Sequence, residues 1–222
     1  MNPHKILWEK HWKHLGTTKF FFNRIIKFYR SQIISRAVRY YLEKYFPKQG
    51  FYIEAGCGTA GSSIRTKHLN RRIIGLDICF SPLIEASRNT CIDFFIQSNI
   101  SKLPFKDNSF DGLWNLGVME HFTEGEIQEI LFEFHRVTKP NNYIILFWPP
   151  EYGATVIFLG TIERMYHFLF GRKFTFFPNE QSRIRSINHI KRIIAQTPFS
   201  KFKYYFSWRD LFTYAVIILR KD

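Results

Sequence analysis

The two ends of the chain repeat apolar residues every three to four positions, while the centre alternates short apolar runs with helix-like stretches. Leu7, Trp8, Trp12 and Leu15 keep helical spacing until Gly16-Thr17-Thr18 breaks it. From Phe22 onward, Ile25, Ile26, Tyr29, Ile33, Ala37 and Tyr40 share one helical face, and Pro47 and Gly50 end that segment. Phe51-Tyr52-Ile53 predicts a first strand, followed by a glycine-rich turn and a helix from about Ala60. Arg72 to Leu76, Asp93 to Gln97, Gly112 to Leu116 and Tyr143 to Trp148 predict four more strands. Between them, Ser81-Pro82 opens a helix, and Thr123 with Glu126 forms a capping box for another that runs to Val137. Lys139-Pro140-Asn141-Asn142 is turn chemistry, and Pro149-Pro150 stops the fifth strand.

Beyond Pro150 the rhythm changes. Residues 151–178 predict an aromatic-rich helical insertion, and Ile184, Ile187, Ile190 and Ile194 a further helix. Lys203 to Trp208 and Thr213 to Leu219 predict two closing strands, with one edge pair antiparallel. Strands alternating with helices imply an α/β fold, a Rossmann-like, doubly wound, seven-stranded and mostly parallel sheet. The expected organisation is one domain over 1–222. It comprises an N-terminal helical cap (1–48), a ligand-binding core (51–149), a helical lid insertion (151–200) and closing strands (201–222).

Composition narrows the class. The 222 residues are 45% apolar and 23% charged, enough for a sizeable core, and 25 are Phe. No apolar stretch reaches the roughly 18–20 residues of a spanning helix; the best, Thr155 to Phe170, is interrupted by Glu163, Arg164 and His167. The start of the chain has no signal-peptide core, and Cys57, Cys79 and Cys91 lack paired or metal-type spacing. A secreted disulfide scaffold, a zinc finger and an integral membrane protein are thereby excluded, and a cytoplasmic location is expected. The net charge of +14 is uneven: +9 over residues 1–50, −3 over 51–170 and +8 over 171–222. Basic ends around a mildly acidic centre suit an anionic partner, and they equally suit ordinary solubilising charge.

The candidate chemistry sits in Ile53-Glu54-Ala55-Gly56-Cys57-Gly58-Thr59-Ala60-Gly61-Ser62-Ser63. A phosphate-binding P-loop would end in Gly-Lys-Ser/Thr, which is absent. Gly56, Gly58 and Gly61 satisfy the dinucleotide spacing G-x-G-x-x-G, while Glu54 before the first glycine suits a nucleoside with an amino-acid tail. Asp77 at the end of the second strand can accept ribose hydroxyls. The ordered series continues through Ser98-Asn99-Ile100-Ser101-Lys102-Leu103-Pro104-Phe105, Asp107 to Asp111, Gly117-Val118-Met119-Glu120-His121-Phe122 and Arg136 to Asn142. Over residues 51–149 it resembles the class I S-adenosylmethionine-dependent methyltransferases, in particular their small-molecule, type 11-like subgroup.

The resemblance implies S-adenosylmethionine as cofactor. It gives Glu54 the donor's ammonium, Gly56, Cys57 and Gly58 the methionine cradle, and Asp77 with Ile78 the ribose. Asn99 stands where an Asp usually meets the adenine amino group, Ile100 offers its backbone N–H, and Asn115 and Leu116 follow the fourth strand at the carboxyl end of the sheet, where ligands bind in doubly wound folds. Ala60 replaces a common third glycine, and Asn141-Asn142 replace a Gly-Gly turn. His121 is the candidate general base, with packing beneath the donor as its alternative, and Glu120 is expected to be a solvated helix-start residue. Asn115-Leu116-Gly117-Val118 lacks the Pro-Pro-Tyr of base-amine methylation, and none of the cysteines matches a cytosine nucleophile. Cys57 reads as a small loop residue, and His4, His11 and His14 as surface histidines, so no metal site is expected.

In this family the first segment and the insertion after the fifth strand cover the acceptor. Here both are rich in aromatics, among them Trp8, Trp12, Phe20, Phe21 and Phe22 in the first and Phe158, Phe168, Phe170, Phe174, Phe176 and Phe177 in the second. The expected acceptor is a small, amphipathic or anionic molecule of lipid, quinone-precursor or glycan-intermediate type, and the basic cap suits an anionic membrane surface. The alternatives are an RNA or protein acceptor gripped by the basic ends, and a non-catalytic subunit that keeps the fold.

Overall fold

Five apolar runs of the centre pair as parallel strands, and all but the partly exposed edge strand, Phe94–Gln97, are largely buried on both faces, where a continuous apolar run fits better than alternation. The computed structural model describes residues 3–18, 20–67, 70–88, 90–171 and 180–222, the backbone alone for those between 14 and 23. Strand β1 (Gln49–Ala55) pairs parallel with β2 (Asn70–Asp77) on one side and β4 (Phe110–Leu116) on the other. Strand β3 (Phe94–Gln97) extends the sheet beyond β2, and β5 (Thr138–Trp148) extends it beyond β4, both parallel. Strand β7 (Ala215–Arg220) then runs antiparallel between β5 and β6 (Phe202–Tyr205). The order β3-β2-β1-β4-β5-β7-β6 reverses direction between β1 and β4, which opens a crevice at their carboxyl ends.

One sheet face packs under α5 (Glu124–Val137) and α7 (Ile187–Ile194), with Leu113, Phe134, Ile193 and Ile217 fully or almost fully buried. The other face meets α3 (Ser35–Tyr45) through Val38, Tyr41, Tyr52, Trp114 and Phe147. Helix α1 (Pro3–Thr18) and helix α2 (Phe20–Tyr29) precede it. A widened π turn, Arg30–Ile34, joins α2 to α3 without a break, and such turns recur at functional sites. Helix α4 (Phe80–Ala86) follows β2, and α6 (Ala154–Phe170) follows β5.

The capping box forms as its spacing predicts: Glu126 N–H donates to Thr123 Oγ1 at 3.4 Å, and Thr123 N–H to Glu126 Oε2 at 2.9 Å. The Lys139 to Asn142 turn is a bulge inside β5, with Asn141 at φ +64° and the register to β4 shifted across it. Two expectations are corrected. No helix starts at Ala60 among the described residues; Ala60 itself is left-handed at φ +53°, and successive three-residue turns link Cys57, Ala60, Ser63 and Thr66. With Gly61-Ser62-Ser63 next, the segment lacks the propensity to override that loop geometry. Ile184 lies outside α7: it is fully buried and bridges Pro150, and the helix begins after Ser186, whose Oγ accepts from His189 N–H at 3.2 Å. Phe174, Phe176, Phe177 and the end of the insertion at Pro178 fall outside the described residues, as do the side chains of His14 and Phe20 to Phe22.

Candidate active site

A cavity of about 880 Å³ opens at the strand-order reversal, bounded by the carboxyl ends of β1, β2 and β4 and covered by α1, α2 and α6. Glu54, near the end of β1, is 3% exposed, and its Oε2 has no hydrogen-bond partner. Burial pushes its carboxyl up to about 7; Ser63, Trp114 and the Arg30 guanidinium pull the other way. Ser63 Oγ and Trp114 Nε1 face the carboxylate without reaching hydrogen-bond geometry, so all three polar groups remain open. A buried carboxylate in this state favours a cation.

The glycine loop is stitched to the end of β2. Gly56 N–H and Cys57 N–H both donate to Leu76 O, at 2.7 and 2.9 Å. Gly56 sits at φ +74°, and a Cβ there would fall 2.6 Å from Val118 Cγ2, so only glycine fits. Asp77 Oδ2 accepts from Gly58 N–H at 2.8 Å, and its Oδ1 accepts from Cys79 N–H at 2.9 Å. Asp77 therefore clamps the loop while facing the cavity, and burial raises its carboxyl. Burial likewise raises the Cys57 thiol, with Glu54 and Asp77 adding to it, so Cys57 is a loop residue and not a nucleophile. Trp12 lies over Gly58, its ring 3.4 Å from where a Cβ would stand.

Ile78, Asn99, Ile100 and Leu116 also line the cavity. Asn99 Oδ1 already accepts from Ser101 N–H at 3.1 Å and keeps one lone pair for a ligand. Asn115 is not brought to the cavity. It alternates with Leu116 along β4, so its fully buried side chain points to the opposite face, where neither amide atom has a partner.

At the other end of the cavity stand His121 and Glu120, in a 3-10 turn, Met119–His121. His121 is 3% exposed, meets the edge of Trp8 at 4.8 Å between ring centroids, and places Nε2 3.7 Å from Glu120 Oε1. Glu120 corrects the expectation of a solvated helix-start residue: it is 4% exposed, its Oε2 has no partner, and burial pushes its carboxyl up to about 8. Its backbone carbonyl accepts from Gln181 N–H and Ser182 N–H at 2.6 and 3.0 Å, and Gln181 Nε2 donates to His121 O at 3.2 Å. A chain segment 60 residues away thus closes over the turn. A Cβ on Gly117, at φ +66°, would stand 3.4 Å from Glu120 Oε1 and 3.5 Å from Tyr214 Oη, so these two oxygens flank the end of β4. Carboxylate and ring atoms of Glu120, His121 and Glu180 lie within 4.8 Å of one another, close enough to share a cation, and Arg183 already ion-pairs with Glu180.

Residues that sequence spacing alone did not bring to the site include Glu120, Tyr214, Arg30 and His4. His4 is a second correction: it is half-buried, bonds Glu126 Oε1 at 2.9 Å and packs on Phe122 at 4.5 Å, so it is not a surface histidine. His11 also lines the cavity, its ring 5.2 Å from Trp8.

Residues 53–146 match a family described as a methyltransferase domain. The chain is 34% identical over 94 residues to malonyl-[acyl-carrier protein] O-methyltransferase from Erwinia pyrifoliae, a match covering 42% of this chain and 35% of that protein. It is 30% identical over 130 residues to a probable tRNA methyltransferase 9B of Homo sapiens, covering 55% of this chain and 27% of that protein. These matches span about a third or less of the curated relatives' lengths. Among solved structures, magnesium protoporphyrin IX methyltransferase from Synechocystis with bound S-adenosylhomocysteine superposes with a TM-score of 0.62 at 18% identity, covering 96% of this chain and 94% of that one. That likeness shows the fold.

Proposed function

We propose that the chain is a class I S-adenosylmethionine-dependent methyltransferase of the type 11 kind, as its match to a methyltransferase-domain family over residues 53–146 supports, and that it passes the donor's methyl group to a small amphipathic acceptor. The residues present fit the donor. Glu54 Oε2 is a buried acceptor with nothing to accept from, and the glycine loop, Gly56 to Gly58, lines the cavity beside it. Glu54 would hold the ammonium and the loop backbone the methionine portion. Asp77 would take the ribose through the lone pairs not used by Gly58 and Cys79, and Asn99 and Ile100 the adenine.

Bound, the donor would supply a sulfonium-activated methyl group, whose carbon–sulfur bond breaks as the acceptor nucleophile bonds the methyl carbon, with S-adenosylhomocysteine as the leaving group. The chain's contribution is then alignment, exclusion of water and disposal of a proton. Trp8 and Trp12 cover the loop and the His121 turn against water. Glu120, with an unused oxygen facing the cavity end, is the group positioned to take the acceptor's proton, and His121, wedged by Trp8, stands beside it with Nε2 3.7 Å from Glu120 Oε1.

The observation that carries the acceptor class is the contrast within the cavity. Its floor is Glu120, His121 and Tyr214, and its walls include Trp8, Phe122, Val156 and Leu159. A polar reacting end and an apolar body match that lining. Seven carboxylates against three Lys or Arg side chains in the lining favour an amphipathic acceptor over an anionic one. The test is transfer from methyl-labelled S-adenosylmethionine into a cell extract sorted into lipid, polar, protein and nucleic-acid fractions. Label in the organic-soluble fraction is expected; label in RNA or protein would replace this reading with a macromolecular acceptor.

A further inference from the structure

Helix α6 is 17 residues long, and not one of them is buried. Its inner face, Thr155, Val156, Leu159 and Glu163, lines the cavity. Its outer face and end carry large apolar side chains in the open: Phe158 is 60% exposed, Met165 56% and Phe168 88%. The exposure continues onto two neighbouring elements. Ala154 N–H, at the start of α6, donates to Phe212 O at 2.9 Å, and the turn at 208–212 exposes Trp208 (67%) and Leu211 (50%). Tyr29 Oη, at the end of α2, donates to Asp210 O in that same turn at 2.9 Å, and next to it Phe28 is 66% exposed. Three elements tied by hydrogen bonds, each with residues that line or adjoin one cavity, therefore expose large apolar side chains beside it. Monomeric soluble surfaces rarely leave so large a patch uncovered.

Charge identifies the occupant. Exposed cations are interspersed along the rim: Arg24 on α2, Arg164 on α6 and Arg209 in the turn, with Lys27 beside them paired to Glu85 at 2.6 Å. A second copy would bring two chains of net charge +14 into contact through their basic rims, a like-charge approach that opposes association. An anionic lipid surface satisfies both features, since headgroups meet the cations while the aromatic and aliphatic side chains enter the acyl boundary. No helix among the described residues is long and apolar enough to cross a membrane, so the contact is with the surface.

We propose that the rim formed by α6, the 208–212 turn and the end of α2 docks on an anionic phospholipid bilayer, with the cavity mouth facing the lipid, so that the acceptor is an amphipathic molecule taken from the membrane. Only the acceptor's source rests on the proposed methyl transfer. The docking itself is measured without donor or acceptor, so its failure and the failure of that reading are separable.

The test is co-sedimentation of the full chain with extruded vesicles of pure phosphatidylcholine or of phosphatidylcholine with phosphatidylglycerol, at low and high salt. The expected result is binding to the anionic vesicles that weakens with salt, with little binding to the neutral ones. Because Phe158 and Phe168 are exposed, Phe158→Asp/Phe168→Asp should fold normally by circular dichroism yet lose vesicle affinity about tenfold or more. Unchanged binding by this double variant would overturn the proposal, because the basic ends alone would then carry the contact. Absence of binding to anionic vesicles at low salt would overturn it too. So would light scattering that shows a stable dimer which the double variant dissociates.

Discussion

Replacing Glu54 by Gln should stabilise the donor-free protein at alkaline pH relative to pH 5, while removing the group proposed to hold the donor's ammonium. Burial lifts the Glu54 carboxyl from an ordinary 4.5 to about 7. Its folded-state pKa is raised, so between those two values the native state binds more protons than the unfolded chain, and stability falls as pH rises through that window. Each pKa unit is about 1.4 kcal/mol, and Glu54 is almost completely buried, so solvent screening takes little away. Between pH 5 and pH 8 its ionisation therefore removes roughly 2–3 kcal/mol of stability. The Gln amide has its own cost in a pocket without partners, but that cost does not vary with pH and cancels when the two pH values are compared. Thermal melts of wild type and Glu54→Gln at pH 5 and pH 8 read the double difference directly. For a chain of this length it should reach about 5–10 °C in favour of the variant at the higher pH. Identical pH dependence in the two proteins would refute the reading of Glu54 as a buried, uncompensated acid.

Gly56→Ala forces a Cβ to 2.6 Å from Val118 Cγ2 at a left-handed φ, so donor affinity should fall at least tenfold by calorimetry, with partial recovery in Gly56→Ala/Val118→Ala. Because Glu120 ionises only near 8 in the donor-free protein, the rate at low substrate should climb with pH toward 8 in wild type and lose that limb in Glu120→Gln. A limb that persists in the variant assigns the proton to another group. Thr123→Ala removes one half of the capping box on α5 and should cost about 1 kcal/mol in urea unfolding with little effect on donor binding.

The core of the fold is legible in the sequence because its central strands are largely buried, and Ile73 to Leu76 or Ile144 to Trp148 therefore appear as unbroken apolar runs. The proposed donor half of the site is legible for a related reason. Glu54, Gly56, Gly58 and Asp77 lie on two adjacent strand ends, so local order in the chain is also order in space. The acceptor half is assembled by long-range contacts and is not legible in this way. Glu120 stands beside Thr123 and Glu126 and looks like part of a solvated helix start, until residues 181 and 182 donate to its carbonyl and seal it in. His4 finds its partner Glu126 122 positions away. The loop after Gly58 misled the helix expectation because Ala60 adopts a left-handed conformation that its residue type does not announce. The aromatic content of α6 was visible in the sequence, but that its outer face stays uncovered is a property of the packed structure.

The most direct measurement is a calorimetric titration of the purified chain with S-adenosylmethionine and, separately, with NAD, run near pH 6.5 in two buffers of different ionisation enthalpy. The expected result is one bound S-adenosylmethionine per chain with release of a proton as the cationic donor ionises Glu54, a release absent from Glu54→Gln, and no heat from NAD. Absence of S-adenosylmethionine binding, or a dinucleotide held in its place, would contradict the assignment of this site as a methyl-donor pocket.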